Sequence, residues 1–133
     1  MNEVNIDHIG IATESIEISK KFWNLIGFKD SSNHVVESQG VKVQYLTGES
    51  GAKLELLEPI FSESPVGKFI TNKGPGIQQL AVIVSDIAEL IIKLKEHGVV
   101  LINDIPSKGA DGRLISFIHP KSTGGVLVEI IQK

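Results

Sequence analysis

IDHIGIATESI, residues 6–16, and IQQLAVIVSDI, residues 77–87, superimpose when the chain is slid by 71 positions. His8 falls on Gln79, Ile9 on Leu80, Ile11 on Val82 and Ile16 on Ile87. Each stretch reads as a β-strand followed by a helix start, with Ser15 or Asp86 in the N-cap position. Gly27 falls on Gly98, so the two helices share a stop as well as a cap. Further on, Leu54-Glu55-Leu56-Leu57 resembles Val128-Glu129-Ile130-Ile131 at a shift of 74, and the three-residue difference fits one longer loop. A period this long is not that of a solenoid. It predicts an α+β fold of two βαβββ modules paired across a pseudo-twofold axis, each contributing four strands to a curved sheet around a shared cleft.

Working outward, residues 4–13 predict the first strand and Ser15 caps a helix carrying Ile16, Ile18, Phe22, Trp23, Leu25 and Ile26. A short strand is expected at 33–37 and a turn at Ser38–Gly40. A half-buried strand follows through Val41, Val43 and Tyr45, and another over 53–58 ends at Pro59. Residues 62–72 predict a short helix with Pro65 in its first turn. Lys73-Gly74-Pro75-Gly76 reads as the linker, so that module 1 covers residues 1–72 and module 2 covers 77–133 of a single domain. In the second module a strand runs from Ile77 to Val84. Asp86 and Glu89 form a capping box for a helix reaching His97. Strands are expected at 99–102, 113–118 and 126–132, separated by turns at Gly109–Gly112 and Gly124–Gly125. Trp23 is expected in the core, and His34 and His97 at the surface.

Composition narrows the function. The chain has 133 residues, with 13 basic and 16 acidic side chains and a net charge of −3. No basic excess is available to neutralise phosphates, which argues against nucleic-acid binding. Hydrophobic residues make up 41% and charged residues 22%, the balance of an ordinary globular domain. The absence of cysteine excludes disulfides, thiolate metal sites and cysteine nucleophiles. The N-terminal MNEVNIDHIG lacks the basic and apolar regions of a signal peptide. No apolar run approaches the ~18 residues of a membrane span. The expectation is a cytoplasmic protein.

Four repeat positions are polar inside apolar strands: His8, Glu55, Gln79 and Glu129. In an alternating strand the apolar neighbours of each face the opposite side. Symmetry pairs His8 with Gln79 and Glu55 with Glu129, and the four would converge in the cleft. One imidazole, one amide oxygen and two carboxylates form an N/O donor set suited to Zn, Co, Ni, Mn or Fe(II), with room for water or substrate oxygens.

These residues carry a resemblance. The chain resembles the vicinal-oxygen-chelate (glyoxalase/bleomycin resistance/dioxygenase) superfamily, and within it the methylmalonyl-CoA epimerases. The matching segments are Asp7–Ala12, Gly40-Val41, Lys53–Pro59, Ser64-Pro65-Val66 with Lys68-Phe69, and His119-Pro120-Lys121 leading to Gly125–Glu129. The resemblance implies a divalent metal held by His8, Glu55, Gln79 and Glu129, chelation of the substrate through two oxygens, and a homodimer. Three positions depart from the epimerase pattern. Gln78 and Gln79 stand where epimerases usually carry two histidines, and Val43 stands where several bacterial epimerases carry a glutamate. Gln44, adjacent, is expected to face the other side of its strand. Some glyoxalase I enzymes use a Gln, Glu, His, Glu set.

The chemistry implied is proton abstraction α to a thioester carbonyl, with the enolate stabilised by the metal. With Val43 on the third strand, Glu129 and Glu55 are the available acid and base. His119 and Lys121 are candidates for substrate contact. The resemblance thus implies an epimerase of methylmalonyl-CoA or a related 2-substituted acyl-CoA. A glyoxalase I-like lyase or isomerase, and a non-catalytic small-molecule-binding module, are the alternatives.

Overall fold

A computed structural model describes residues 3–109 and 111–133; Ala110, in the expected Gly109–Gly112 turn, lies outside the described residues. The chain divides into two compact units. One is His8–Gln78, and the other is Gln79–Lys133 together with residues 3–7.

The first unit contains most of β1 (Val4–Ala12), then α1 (Ile16–Leu25), β2 (Lys29–Val36), β3 (Val41–Thr47), β4 (Lys53–Pro59) and α2 (Pro65–Lys73). Its strand order is β2-β3-β4-β1. β2, β3 and β4 pair antiparallel, whereas β1 runs parallel to β4. The second unit contains most of β5 (Gly76–Val84), then α3 (Ile87–Glu96), β6 (Ser107–Lys108), β7 (Leu114–Ile118) and β8 (Leu127–Gln132). Its order is β6-β7-β8-β5, again with one parallel pair, β5 with β8.

The repeat extends to single hydrogen bonds. Ser15 Oγ accepts from the Ile18 N–H at 3.3 Å, and Asp86 Oδ1 accepts from the Glu89 N–H at 3.0 Å. The first amide of α1, Ile16 N–H, donates to Glu58 Oε1 at 2.8 Å; the first amide of α3, Ile87 N–H, donates to Gln132 Oε1 at 2.8 Å. Past the helices, Phe28 N–H reaches Trp23 O and Val99 N–H reaches Leu94 O, both at 3.0 Å. Helix starts leave amides without an internal partner. Each half satisfies them with its own N-cap and the side chain at the end of its parallel strand.

Each helix covers one sheet face. Leu46, Leu54 and Leu56 are buried with Ile16, Trp23 and Phe28 packed on them, so Trp23, expected in the core, is half-buried at its edge. In the second unit Val84, Ile87, Ile91, Leu101, Ile118 and Ile130 form the corresponding core beneath α3. α2 adds Val66, Phe69 and Ile70 against Ala12, Val41, Val43 and Leu57, on the opposite face of the first sheet.

Several expectations need correction. The strand expected at 33–37 is eight residues long, Lys29–Val36. Its start is polar and exposed, so the pairing to β3 with a bulge between Asp30 and Asn33 defines it rather than any apolar alternation. β3 is buried on both faces rather than one, with Val43 at 5% exposure on one face and Leu46 at 0% on the other. The helix expected from residue 62 begins at Pro65, capped by Ser64, whose Oγ accepts from the Gly67 N–H. Gly76, assigned to the linker, already belongs to β5. Residues 99–102 form no strand. Leu101 makes a single bridge to Ile118, and the Val100 N–H is taken by Ser122 Oγ at 2.9 Å. Among the described residues no helix is long and apolar enough to cross a membrane.

Candidate metal and substrate site

Register partners share a sheet face, and residues two apart on one strand share it too. In the first unit Glu55 is the register partner of Gly10, and His8 is the partner of Lys53. His8 and Glu55 therefore lie diagonally on the face opposite α1. His8 Nε2 is 3.5 Å from Glu55 Oε2. In the second unit Glu129 is the partner of Ala81, and Gln79 is the partner of Leu127. The same diagonal results: Gln79 Nε2 donates to Glu129 Oε1 at 3.2 Å.

All four side chains are buried, at 5% for His8, 8% for Glu55 and Gln79, and 9% for Glu129. Among the described residues, His8, Glu55 and Glu129 are the buried ionisable side chains. Burying a charged group without compensation is expensive, so such groups are retained where they have partners or a task. The residue opposite each glutamate is small, Gly10 or Ala81.

Donor spacing tests whether these pairs suit a metal. Two ligands at about 2.0–2.2 Å from one ion stand about 3–3.5 Å apart at octahedral or tetrahedral angles. Both pairs have that spacing. Gln79 presents its nitrogen to Glu129; turning the amide over places Oε1 there instead, because the two ends are nearly isosteric. The donor chemistry therefore fits a divalent cation pair by pair. Among the described residues no three His, Asp or Glu side chains gather into a metal-holding cluster.

A family model described as the glyoxalase/bleomycin resistance protein/dioxygenase superfamily matches residues 7–117. The chain belongs to this superfamily. Among its relatives is the uncharacterised protein YqjC of Bacillus subtilis, 39% identical over 96% of this chain and 91% of that one. The mitochondrial methylmalonyl-CoA epimerase of Bos taurus is 30% identical over 96% of this chain and 73% of its own length. A methylmalonyl-CoA epimerase solved in complex with methylmalonyl-CoA has 34% identity and a TM-score of 0.87, covering 98% of this chain and 94% of that one. The α+β architecture expected from the repeat is thus that of the glyoxalase superfamily.

His119 and Lys121 stand elsewhere. Lys121 lies in the 3₁₀ turn Pro120–Ser122 and His119 caps it, its Nδ1 accepting from the Lys121 N–H at 3.0 Å; both side chains are exposed. His97 is exposed at the end of α3, as expected, with Nδ1 2.8 Å from Lys93 O. Val43 is 5% exposed and packed under α2, and Gln44 faces the other way, its amide donating to Tyr45 O at 2.9 Å.

His34, expected at the surface, is a correction. It is half-buried, is the register partner of Val43, and so shares the face of Glu55. Tyr45, the register partner of Glu55, lies between two imidazoles. Its ring centroid is 6.0 Å from that of His8, edge to face, and 5.8 Å from that of His34. Sequence reasoning places Tyr45 on a strand but not at the site. The period-two pattern is visible in the sequence, but the register that brings it to Glu55 is not.

Proposed function

We propose that this chain is a metal-dependent epimerase of methylmalonyl-CoA or a related 2-substituted acyl-CoA. The observation that carries the reading is the repeated diagonal of buried polar residues, His8–Glu55 and Gln79–Glu129, each flanked by apolar residues on at least one side along its strand. Epimerases among the relatives, one of them bound to methylmalonyl-CoA, support the substrate class.

We assign the metal to His8, Glu55, Gln79 and Glu129. When bound, a divalent cation supplies Lewis-acid stabilisation to the oxygens of a chelated acyl thioester. The proton transfers fall to the chain. Glu129 takes the α-proton. Glu55 returns a proton to the carbon and completes inversion. Burial keeps bulk water from competing for either carboxylate. Lys121 and His119, at their exposed turn, are assigned to the anionic part of the CoA. The active species in this reading is a cytoplasmic homodimer, which sedimentation at micromolar concentration tests.

The decisive experiment follows α-proton exchange of methylmalonyl-CoA in deuterated water. Wild-type protein loaded with Co(II) should exchange the proton, and Glu129→Gln should abolish exchange. Near-normal exchange in the variant sinks the assignment of the base.

A second reading is a glyoxalase I-like lyase acting on a hemithioacetal by the same enolate chemistry. The buried, apolar Val43 and the amide of Gln79 favour it. Turnover of methylglyoxal plus thiol, with none of methylmalonyl-CoA, would select it.

A further inference from the structure

We propose that Tyr45 is a catalytic residue of this site, its phenol O–H hydrogen-bonding the thioester oxygen of the substrate as negative charge develops there. This inference rests on the epimerase reading and adds to it a group outside the metal-ligand set. Tyr45 is the register partner of Glu55 on β3, on the face that carries His8 and Glu55. Its ring is held against both His8 and His34 and packs at the edge of the Val41–Val43–Leu57 cluster. The orientation of the phenol is therefore set before substrate arrives.

The internal repeat separates the role of the ring from that of the hydroxyl. The position in the second unit that pairs with Glu129, as Tyr45 pairs with Glu55, is Phe117. A phenyl ring alone satisfies the packing demands of this position in one half of the molecule. The hydroxyl is what the first half adds. It is added where Val43, two residues away on the same face, offers no polar atom. A neutral phenol is a good donor to an enolate oxygen. Such a donor lowers the barrier most where it is fixed in advance and screened from water. No proton is transferred in this step: the O–H bond persists, and the hydrogen bond shortens as the α-proton passes to Glu129.

Tyr45 is the only tyrosine in the chain, so fluorotyrosine supplied during expression labels this position alone. Four measurements test the proposal. In Tyr45→Phe, kcat for α-proton exchange of methylmalonyl-CoA should fall about 100-fold, with KM within about threefold of wild type. In the 3,5-difluorotyrosine protein the alkaline limb of the rate profile should move to lower pH, because fluorination acidifies the phenol and a phenolate cannot donate. The ¹⁹F resonance should shift when methylmalonyl-CoA is added. Exchange by the unlabelled wild type is the control. If wild type exchanges the proton and either Tyr45→Phe keeps full kcat or the fluorinated protein keeps the same alkaline limb, Tyr45 is structural and the inference fails alone. A ¹⁹F resonance that does not move on substrate addition overturns it in the same way. If wild type exchanges neither epimer, the epimerase reading falls and takes this inference with it. If Tyr45→Phe does not fold, the fluorinated protein, which keeps the ring and the hydroxyl, decides.

Discussion

Gly10 is the register partner of Glu55 across the parallel β1–β4 ladder, and both are buried. The equivalent partner of Glu129 is Ala81, at 0% exposure. The repeat thus keeps a small residue opposite each carboxylate, on the strand that supplies the neighbouring donor.

This relationship predicts separable effects on stability and binding. Because the second half tolerates a methyl group at this position, Gly10→Ala should leave metal binding intact and raise stability slightly, by about 0.4–1 kcal/mol. Gly10→Val suits a strand but crowds the face that His8 and Glu55 occupy. It should weaken Co(II) binding by at least ~10-fold while the protein still melts cooperatively. Thermal melts and titration calorimetry on both variants check this. Full metal affinity in Gly10→Val would mean that the small residue opposite Glu55 is not required.

Gln79 is the weakest donor of the proposed set. An amide oxygen binds Zn, Co or Ni less tightly than an imidazole, so Gln79→His should raise Co(II) affinity by roughly 10-fold, and Gln79→Ala should lower it. Chelator treatment of wild type should abolish α-proton exchange, and added Co(II) should restore it. Equal binding by wild type and both variants would remove Gln79 from the ligand set.

The core beneath α1 should respond as a close-packed interior. Leu56 is 0% exposed and packs in the cluster with Leu46 and Leu54. Leu56→Ala should cost about 2–5 kcal/mol, read from the urea midpoint at unchanged slope. A cost below about 1 kcal/mol would mean that the sheet relaxes into the space.

Acid stability has one traceable contributor near α1. The side-chain N–H of Asn24 donates to Asp30 Oδ1 at 2.9 Å and holds the Asp30 carboxyl below its usual 3.8, with Lys20 Nζ adding at 3.4 Å. A depressed folded-state value means that the charged form is favoured by folding. Its contribution is complete above the unfolded value and is lost as pH falls through the folded one. The stability gap between wild type and Asp30→Asn should therefore be constant above about pH 5 and close below about pH 4. High salt should shrink it, because the group is at the surface. A gap that widens in acid would reverse the assignment.

Much of this molecule is legible in short stretches of its sequence, and the reason is locality. Caps, helix stops and strand alternation depend on residues a few positions apart. Ser15 and Asp86, Gly27 and Gly98, and the strands around them therefore reveal the repeat directly. The same alternation isolates His8, Glu55, Gln79 and Glu129, because a polar residue at an inward position conflicts with its neighbours wherever the strand sits. What the local pattern does not supply is pairing. β2 begins in exposed, polar sequence and is a strand because β3 lies beside it. Residues 99–102 have strand-like composition, yet Leu101 makes only one bridge. His34 and Tyr45 meet across β2 and β3, and Tyr45 meets His8 across β4, through registers that no short window contains. Local chemistry along the chain is enough for the repeat, the helix ends and the four buried polar positions. Which of those side chains stand within reach of one another is set only when the strands pair, because a one-residue change of register would turn each of them to the other face of its sheet.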